Sequence, residues 1–203
     1  MQVQKDNIRK RILEVAGEEF LAKGFKAVSM RDLAKKTGVG LSNIYNYFQN
    51  KNEILKEVLQ PLFSEFDRIM EEHNSVEFID INIFTSSEYL YTHTQTYLNL
   101  IINYREELKL LLFHASGSQY ENFREEFCNR HTVIGMEYMR SMKAKYPHIN
   151  IEVSDFFIHT MSGWWMTILG EVVSHDLSPN EIEEFLSDYI AFGTAGWKQL
   201  MKV

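Results

Sequence analysis

Apolar residues recur at three- and four-residue intervals through most of the chain, which is the period of amphipathic α-helices. Ile8, Ile12, Ala16 and Phe20 follow one another at four-residue steps, and Gly24 then supplies a stop typical of a helix C-terminus. The chain has only 3 prolines and no Asn-Gly or Asp-Gly hairpin signal. The pattern therefore predicts an all-α fold.

About nine helices are predicted. They cover residues 6–23, 29–38, 41–48, 50–73, 86–103, 105–115, 119–145, 152–175 and 179–202. The start of the last one is the clearest, because Ser178, Pro179 and Glu181 combine an N-cap, a first-turn proline and a capping-box acid. Residues 74–84 show no clear helical period, so we predict that they connect the N-terminal part to the rest.

The stretch from Ser29 to Leu55 has the spacing of a helix-turn-helix. Ser29 can cap a short helix, with Asp32 as a capping-box partner three residues later. A turn built on residues 38–40 follows, then a second short helix, then a break before a longer helix. This arrangement indicates a module that places its second short helix in the major groove of DNA.

The outer face of that second short helix is polar but uncharged. Short amides can pair with the edge of adenine, and a leucine can touch a thymine methyl group. The candidates for reading bases are Leu41, Ser42, Asn43 and Asn46, opposite an apolar side made by Ile44, Tyr45 and Phe48. An ordinary solvated face is the alternative, and the flanking pattern favours DNA.

Lys51 stands in the first turn of the predicted fourth helix, where the helix dipole disfavours a cation. A DNA phosphate bound by the free N–H groups of that turn would explain it, with hydroxyl contacts from Tyr45 and Tyr47. A solvated lysine with no partner is the alternative.

Charge is segregated along the chain, whose net charge is -7. Residues 1–55 hold ten Lys and Arg against six Asp and Glu, whereas residues 56–203 hold eleven against twenty-two. A basic N-terminal module on an acidic body suits a protein that brings only one end to phosphates.

Residues 5–60 resemble the TetR family of bacterial regulators. The matching positions are Gly24-Phe25, Ser29-Met30-Arg31-Asp32-Leu33-Ala34, Gly38-Val39, Ile44-Tyr45, Tyr47-Phe48, Lys51 and Leu55. The resemblance implies phosphate contacts by Ser29, Tyr45, Tyr47 and Lys51, and it adds Arg31 to the residues near the bases. Gly40, Ser42 and Asn43 depart from the residues usual in the family, which leaves the operator sequence open.

The resemblance also implies a division into two domains. Residues 1–50 form the three-helix DNA-binding domain, helix four is the connector, and residues 51–203 form a helical domain that binds an effector and dimerises. We therefore expect a homodimer on a palindromic operator in double-stranded DNA.

The eighth predicted helix is apolar almost all round, so we expect it to pack on its own core and on a second surface. In the family the last two helices usually form the dimer interface, and a buried monomer core is the alternative. The predicted interface residues are Trp165, Leu169, Val172, Tyr189, Gly193, Gly196 and Trp197.

The middle helices are rich in aromatic residues and methionine, a composition that can line an apolar pocket with a few polar groups. A plain hydrophobic core is the alternative. The predicted ligand-binding residues are Asn103, Tyr104, Phe113, His114, Tyr120, Phe127, His159 and Trp164.

Other classes of protein find little support in the sequence. The histidines show no HExxH or paired Cys/His spacing and no Glu-x-x-His pair, so we expect neither a metal site nor a cofactor, and no enzyme activity. Cys128 is the single cysteine, no leader is visible, and no apolar stretch reaches membrane-spanning length. We therefore expect a cytoplasmic protein.

The sequence thus predicts a transcriptional regulator that an unknown small molecule releases from DNA, with a repressor favoured over an activator. The alternative is a TetR-like protein whose module serves protein binding or DNA architecture without an effector.

Overall fold

The structure is a computed structural model that describes residues 2–73 and 79–203. Helices are the only regular secondary structure in these two ranges, as the sequence pattern predicts. The α-helices are α1 (Gln2–Lys23), α2 (Met30–Thr37), α3 (Leu41–Ile44), α4 (Lys51–His73), α5 (Ser87–Asn103), α6 (Arg105–Lys109), α7 (Phe123–Lys145), α8 (Asp155–Ser174) and α9 (Pro179–Met201). One π-helical turn, Leu110–His114, continues α6.

Both predicted capping boxes are confirmed. The side chain of Ser29 accepts a hydrogen bond from the backbone of Asp32, whose carboxylate accepts one from the backbone N–H of Ser29. Ser178 and Glu181 make the same reciprocal pair at the start of α9, with Pro179 in the first turn. Two helix starts are therefore fixed by side chains only three residues apart in sequence.

The third helix is shorter than predicted, because α3 ends at Ile44 instead of continuing to Phe48. Beyond it the backbone tightens into three-residue hydrogen bonds, from Asn46 N to Asn43 O (3.1 Å) and from Tyr47 N to Ile44 O (2.9 Å).

The start predicted for α7 is also wrong by four residues. Side chains hold the preceding segment in turns: Ser118 Oγ accepts from Tyr120 N (3.0 Å), and Glu121 accepts from Gly117 N (3.0 Å). Such local bonds compete with helix formation.

The predicted connection 74–84 is described only from residue 79, where Asp80 caps a short turn at Ile81–Phe84. Residues 74–78 lie outside the described residues.

The chain divides into two compact units. The first comprises Met1–Ser64 and Arg105–Phe123. Within it, Ile12, Ala16 and Phe20 have no exposed surface, which confirms that the four-residue repeat of α1 marks its buried side.

The second unit comprises Glu65–Tyr104 and Arg124–Val203. In this unit α5 packs along α9. Five buried residues form a hydrophobic cluster from α7, α8, the end of α9 and the loop after α7: Met139, Met142, Ile149, Ile158 and Met201. In neither unit does a described helix have the length and hydrophobicity that crossing a membrane requires.

Replacing Ser178 with alanine removes the hydroxyl that caps α9. We expect the free energy of unfolding to fall by about 1 kcal/mol, measured by urea denaturation monitored by circular dichroism. Ser187→Ala is the matched control, since Ser187 is exposed within α9 and alanine favours a helix interior. An equal loss in both variants would show that the cap contributes nothing.

Candidate nucleic-acid interface and effector cavity

Gly38 makes the turn between α2 and α3. Its backbone is left-handed (φ 69°, ψ 14°), a conformation that glycine adopts without steric cost. Thr37 closes α2 just before it, since its hydroxyl donates to the carbonyl of Leu33 (2.7 Å) and accepts from the N–H of Val39 (3.2 Å). The predicted helix-turn-helix is therefore built by local hydrogen bonds and one glycine.

The inner side of α3 and the turn after it consists of Ile44 and Phe48, which are 0% and 2% exposed. Tyr45, predicted on this inner side, is instead 50% exposed. The shortening of α3 accounts for the difference, because residues 45–47 form turns and no longer follow the helical period. Ser42 and Asn46 are exposed as predicted.

Two asparagines on the outer face interact with each other. Nδ2 of Asn46 donates a hydrogen bond to Oδ1 of Asn43 (3.4 Å). This contact leaves Nδ2 of Asn43 as donor and Oδ1 of Asn46 as acceptor for a base edge. Of the other predicted contacts, Arg31 is exposed, and Leu41 and Tyr47 are half-buried.

The hydroxyl of Ser29 already donates to the carboxylate of Asp32 (2.5 Å) and accepts from Asp32 N (3.2 Å). The hydroxyl and backbone N–H of Ser29 lower the pKa of Asp32, so this carboxylate stays charged. A phosphate at Ser29 would have to compete with a carboxylate for the hydroxyl proton. The predicted phosphate contact at Ser29 therefore finds less support in the geometry than those of the other residues.

Lys51 has partners inside the protein. Its Nζ donates to the carbonyl oxygens of Phe25 (2.5 Å) and Val28 (2.6 Å), and it lies 4.1 Å from the centre of the Phe25 ring. Burial lowers the pKa of the ammonium group. Lys51 thus fixes the loop between α1 and α2 to the start of α4, and one of its three N–H donors stays available for a phosphate.

The second unit contains a cavity of about 340 Å³. Aromatic residues, methionines and branched aliphatic residues make most of its wall. Its lining residues are Phe66, Ile69, Met70, Ile83, Phe84, Tyr89, Tyr97, Leu100, Phe127, His131, Ile134, Gly135, Tyr138, Met139, Ile158, Met161, Ser162, Trp165, Tyr189, Trp197 and Met201. This composition is typical of a small-molecule site.

Burial further disfavours the ionised form of the phenols in this wall. It raises the pKa of Tyr89 and of Tyr189 to about 12 and also raises the pKa of Tyr97 and Tyr138. Phenolate is therefore absent at neutral pH.

Of the eight residues predicted to bind a ligand, Phe127 lines this cavity. The other seven are absent from its described wall: Asn103, Tyr104, Phe113, His114, Tyr120, His159 and Trp164. Three of them, Phe113, His114 and Tyr120, belong to the first unit. His131 and Ser162 also line the cavity and were not predicted, since they lie 31 residues apart on α7 and α8.

The N-terminal part of the chain matches a known family model. Residues 12–58 fit the model described as bacterial regulatory proteins, tetR family. By this match, the N-terminal part of the chain is a TetR-family module.

Curated relatives match this chain over about a third of its length. An uncharacterised HTH-type transcriptional regulator, YhgD of Bacillus subtilis, is 38% identical over 64 residues, which are 32% of this chain and 34% of that protein. The HTH-type transcriptional repressor KstR2 of Mycolicibacterium smegmatis is 30% identical over 71 residues, 33% of this chain and 35% of that protein. The matched part thus spans about a third of these relatives' length.

Solved structures extend the likeness of the fold to nearly the whole chain. A putative TetR-family transcriptional regulator from Syntrophomonas wolfei has a TM-score of 0.65 at 17% identity, covering 95% of this chain and 97% of that one. NalD of Pseudomonas aeruginosa, described as the secondary repressor of the MexAB-OprM multidrug efflux pump, has a TM-score of 0.62 at 18% identity, with coverage of 94% and 96%. At these identities the comparison establishes the fold.

An apolar face is exposed on α8 and α9. Phe156 and Phe192 are 75% and 67% exposed, and Trp164 and Phe185 are each 39% exposed. Trp164 and Phe192 meet edge to face, with ring centres 6.0 Å apart. We call these four residues the outer aromatic face.

Most of the residues predicted at the dimer interface lie away from the outer aromatic face. Leu169 and Val172 are buried inside the chain, so a partner cannot reach them and their assignment to the interface is wrong. Trp165, Tyr189 and Trp197 line the cavity. Gly193 and Gly196 have open space beside their Cα atoms and stay predictions.

Replacing Lys51 with methionine removes the donor that two loop carbonyls share. We expect the free energy of unfolding to fall by about 1–3 kcal/mol in a urea titration. The reason is the loss of charge-assisted hydrogen bonds to Phe25 and Val28.

Lys35→Met is the control for the lost charge, because Lys35 is exposed on α2. We expect its effect to stay within about 0.5 kcal/mol. If Lys51→Met is equally mild, the two carbonyl contacts do not stabilise the fold.

Proposed function

We propose that this TetR-family protein is a transcriptional regulator that binds a palindromic operator in double-stranded DNA as a homodimer and responds to a small molecule. A repressor is the favoured form, and KstR2 and NalD, to which the chain is similar, are described as repressors. The match of residues 12–58 to the tetR family carries the proposal. The same proposal places the protein in the cytoplasm, with the DNA.

Residues 1–50 are proposed as the DNA-binding domain and 51–203 as the effector and dimerisation domain. In the first of these, the exposed Ser42 and Asn46 and the half-buried Asn43 would reach base edges in the major groove. Arg31 and Leu41 would approach the bases beside them. Tyr45, Tyr47 and the remaining donor of Lys51 would contact the backbone phosphates.

The cavity in the second unit favours an effector-responsive regulator over the alternative without an effector. Its volume of about 340 Å³ and its apolar wall with a few polar groups are those of a binding pocket. A ligand that prefers one of two conformations would shift the population toward the one that releases DNA.

The outer aromatic face supports dimerisation. Four exposed large aromatic residues on α8 and α9, two of them in contact, are unusual for a protein that stays monomeric. A two-fold axis through α8 and α9 would bury it against itself and present two helix-turn-helix modules to a symmetric site.

DNA binding is tested by selection from a library of random duplexes, followed by titration of the selected site. We expect an inverted repeat that binds at least about 10³-fold more tightly than random duplex at physiological salt, with a steep salt dependence. Asn46→Ala should weaken binding to the selected site by about tenfold and leave binding to random duplex unchanged.

Asn180→Ala, at an exposed asparagine of α9, is the matched control and should bind as the wild type does. Lys51 is a poor probe here because its loss also disturbs the loop before α2. Failure of the library to enrich any sequence would overturn the proposal and favour the protein-binding alternative.

Dimerisation is tested by placing a charge on the outer aromatic face. Phe192→Glu buries an unpaired carboxylate in the proposed interface, so we expect the mass in size-exclusion chromatography with light scattering to fall from dimer to monomer. Val133→Glu, at a 58% exposed valine on α7, is the control and should stay dimeric. A wild type that runs as a monomer at micromolar concentration would contradict this part.

A further inference from the structure

The wall of the cavity carries no formal charge. Among the described residues that line it there is no Asp, Glu, Lys or Arg, and the four tyrosines are neutral phenols. An ion moved from water into such a site loses its hydration without gaining a partner of opposite charge. The wall therefore disfavours carboxylates, phosphates and ammonium groups, although the aromatic rings would offset part of that cost for a cation.

His131 is the titratable group that distinguishes this wall from a plain hydrophobic core. Its ring stacks on Phe127 at 5.4 Å between centres, and its Nδ1 lies 2.9 Å from the hydroxyl oxygen of Ser162. That hydroxyl donates its own hydrogen bond to the carbonyl oxygen of Ile158 (2.9 Å). With the hydroxyl proton directed to Ile158, Nδ1 carries a hydrogen and donates it to Ser162, which leaves Nε2 as the ring nitrogen with a lone pair.

Nε2 of His131 is open to a ligand. It has no hydrogen-bond partner among the described residues, and His131 lines the cavity. Burial lowers the pKa of the imidazole, so the ring is neutral at pH 7 and keeps that lone pair. A fixed acceptor thus stands in a wall of flat aromatic surfaces.

We propose that the cavity binds an uncharged, flat, ring-containing molecule with one hydroxyl group, which donates its hydrogen bond to Nε2 of His131. This inference rests on the proposed function in one respect, namely that the molecule is the effector. The aromatic rings supply stacking and apolar contact, and His131 selects a donor over an ether. Ser162 is a positioning residue, because it fixes the tautomer through Nδ1.

The test compares four pyrene probes that differ in one substituent: 1-hydroxypyrene, 1-methoxypyrene, 1-pyrenecarboxylate and 1-pyrenemethylammonium. Their fluorescence is titrated with the full-length protein at pH 7, without DNA. We expect 1-hydroxypyrene to bind about tenfold more tightly than 1-methoxypyrene, the effect of one hydrogen bond. The carboxylate and the ammonium probe should bind more weakly still.

His131→Phe keeps a flat ring beside Phe127 and removes the acceptor. We expect it to bind 1-hydroxypyrene and 1-methoxypyrene equally, whereas His148→Phe, at an exposed histidine outside the cavity wall, keeps the tenfold preference. Ser162→Ala removes the partner of Nδ1, so both neutral tautomers of His131 become populated. The preference for 1-hydroxypyrene over 1-methoxypyrene should therefore become smaller without vanishing. Met161→Trp fills the cavity and should weaken all four probes. Circular dichroism and the melting temperature establish that each variant is folded.

Tighter binding of a charged probe, a hydroxyl preference that survives in His131→Phe, or no binding of any probe would overturn this inference. Release of the selected operator DNA by 1-hydroxypyrene tests the effector role separately from the ligand class. If 1-hydroxypyrene binds with the expected preference and does not release the DNA, the ligand class stands and the effector role fails. If no operator is found, the probe titrations still decide the ligand class.

Discussion

The ammonium group of Lys51 holds together the part of the chain that would meet DNA. It bonds two carbonyls of the loop between α1 and α2 from the first turn of α4. The cation stands at the positive end of a helix dipole, an unfavourable place that two carbonyl dipoles and the ring of Phe25 compensate. The capping box of α2 and the turn at Gly38 then position α3 relative to this fixed loop.

The helix-turn-helix was predictable because its determinants are local. Capping residues lie three positions apart, and the glycine with positive φ stands in the turn itself. The exposure of Tyr45 was not predictable, because it depends on α3 ending at Ile44, which the helical period of the apolar residues does not indicate. The role of Lys51 was missed for a related reason, since its partners are 23 and 26 residues away in sequence.

The cavity was beyond the reach of sequence patterns. His131 and Ser162 are 31 residues apart, and only the packing of α7 on α8 brings them together. A helix that is apolar all round predicts two buried sides without saying which one faces a cavity and which one faces a partner. For this reason Trp165 and Tyr189 were assigned to the interface, whereas the structure places them in the cavity wall.

Trp164 and Trp165 are neighbours in sequence but lie in different surroundings. Trp165 stacks on Tyr189 in the cavity wall (5.4 Å), whereas Trp164 belongs to the outer aromatic face and meets the edge of the same tyrosine (5.3 Å). Successive residues of a helix point about 100° apart, so one turn of α8 serves both surfaces. The fluorescence of the two indoles thus reports on different surroundings. Without Trp164, the remaining indole emission comes from Trp165 and Trp197 in the cavity wall. Without Trp165, part of the emission comes from Trp164 on the outer surface.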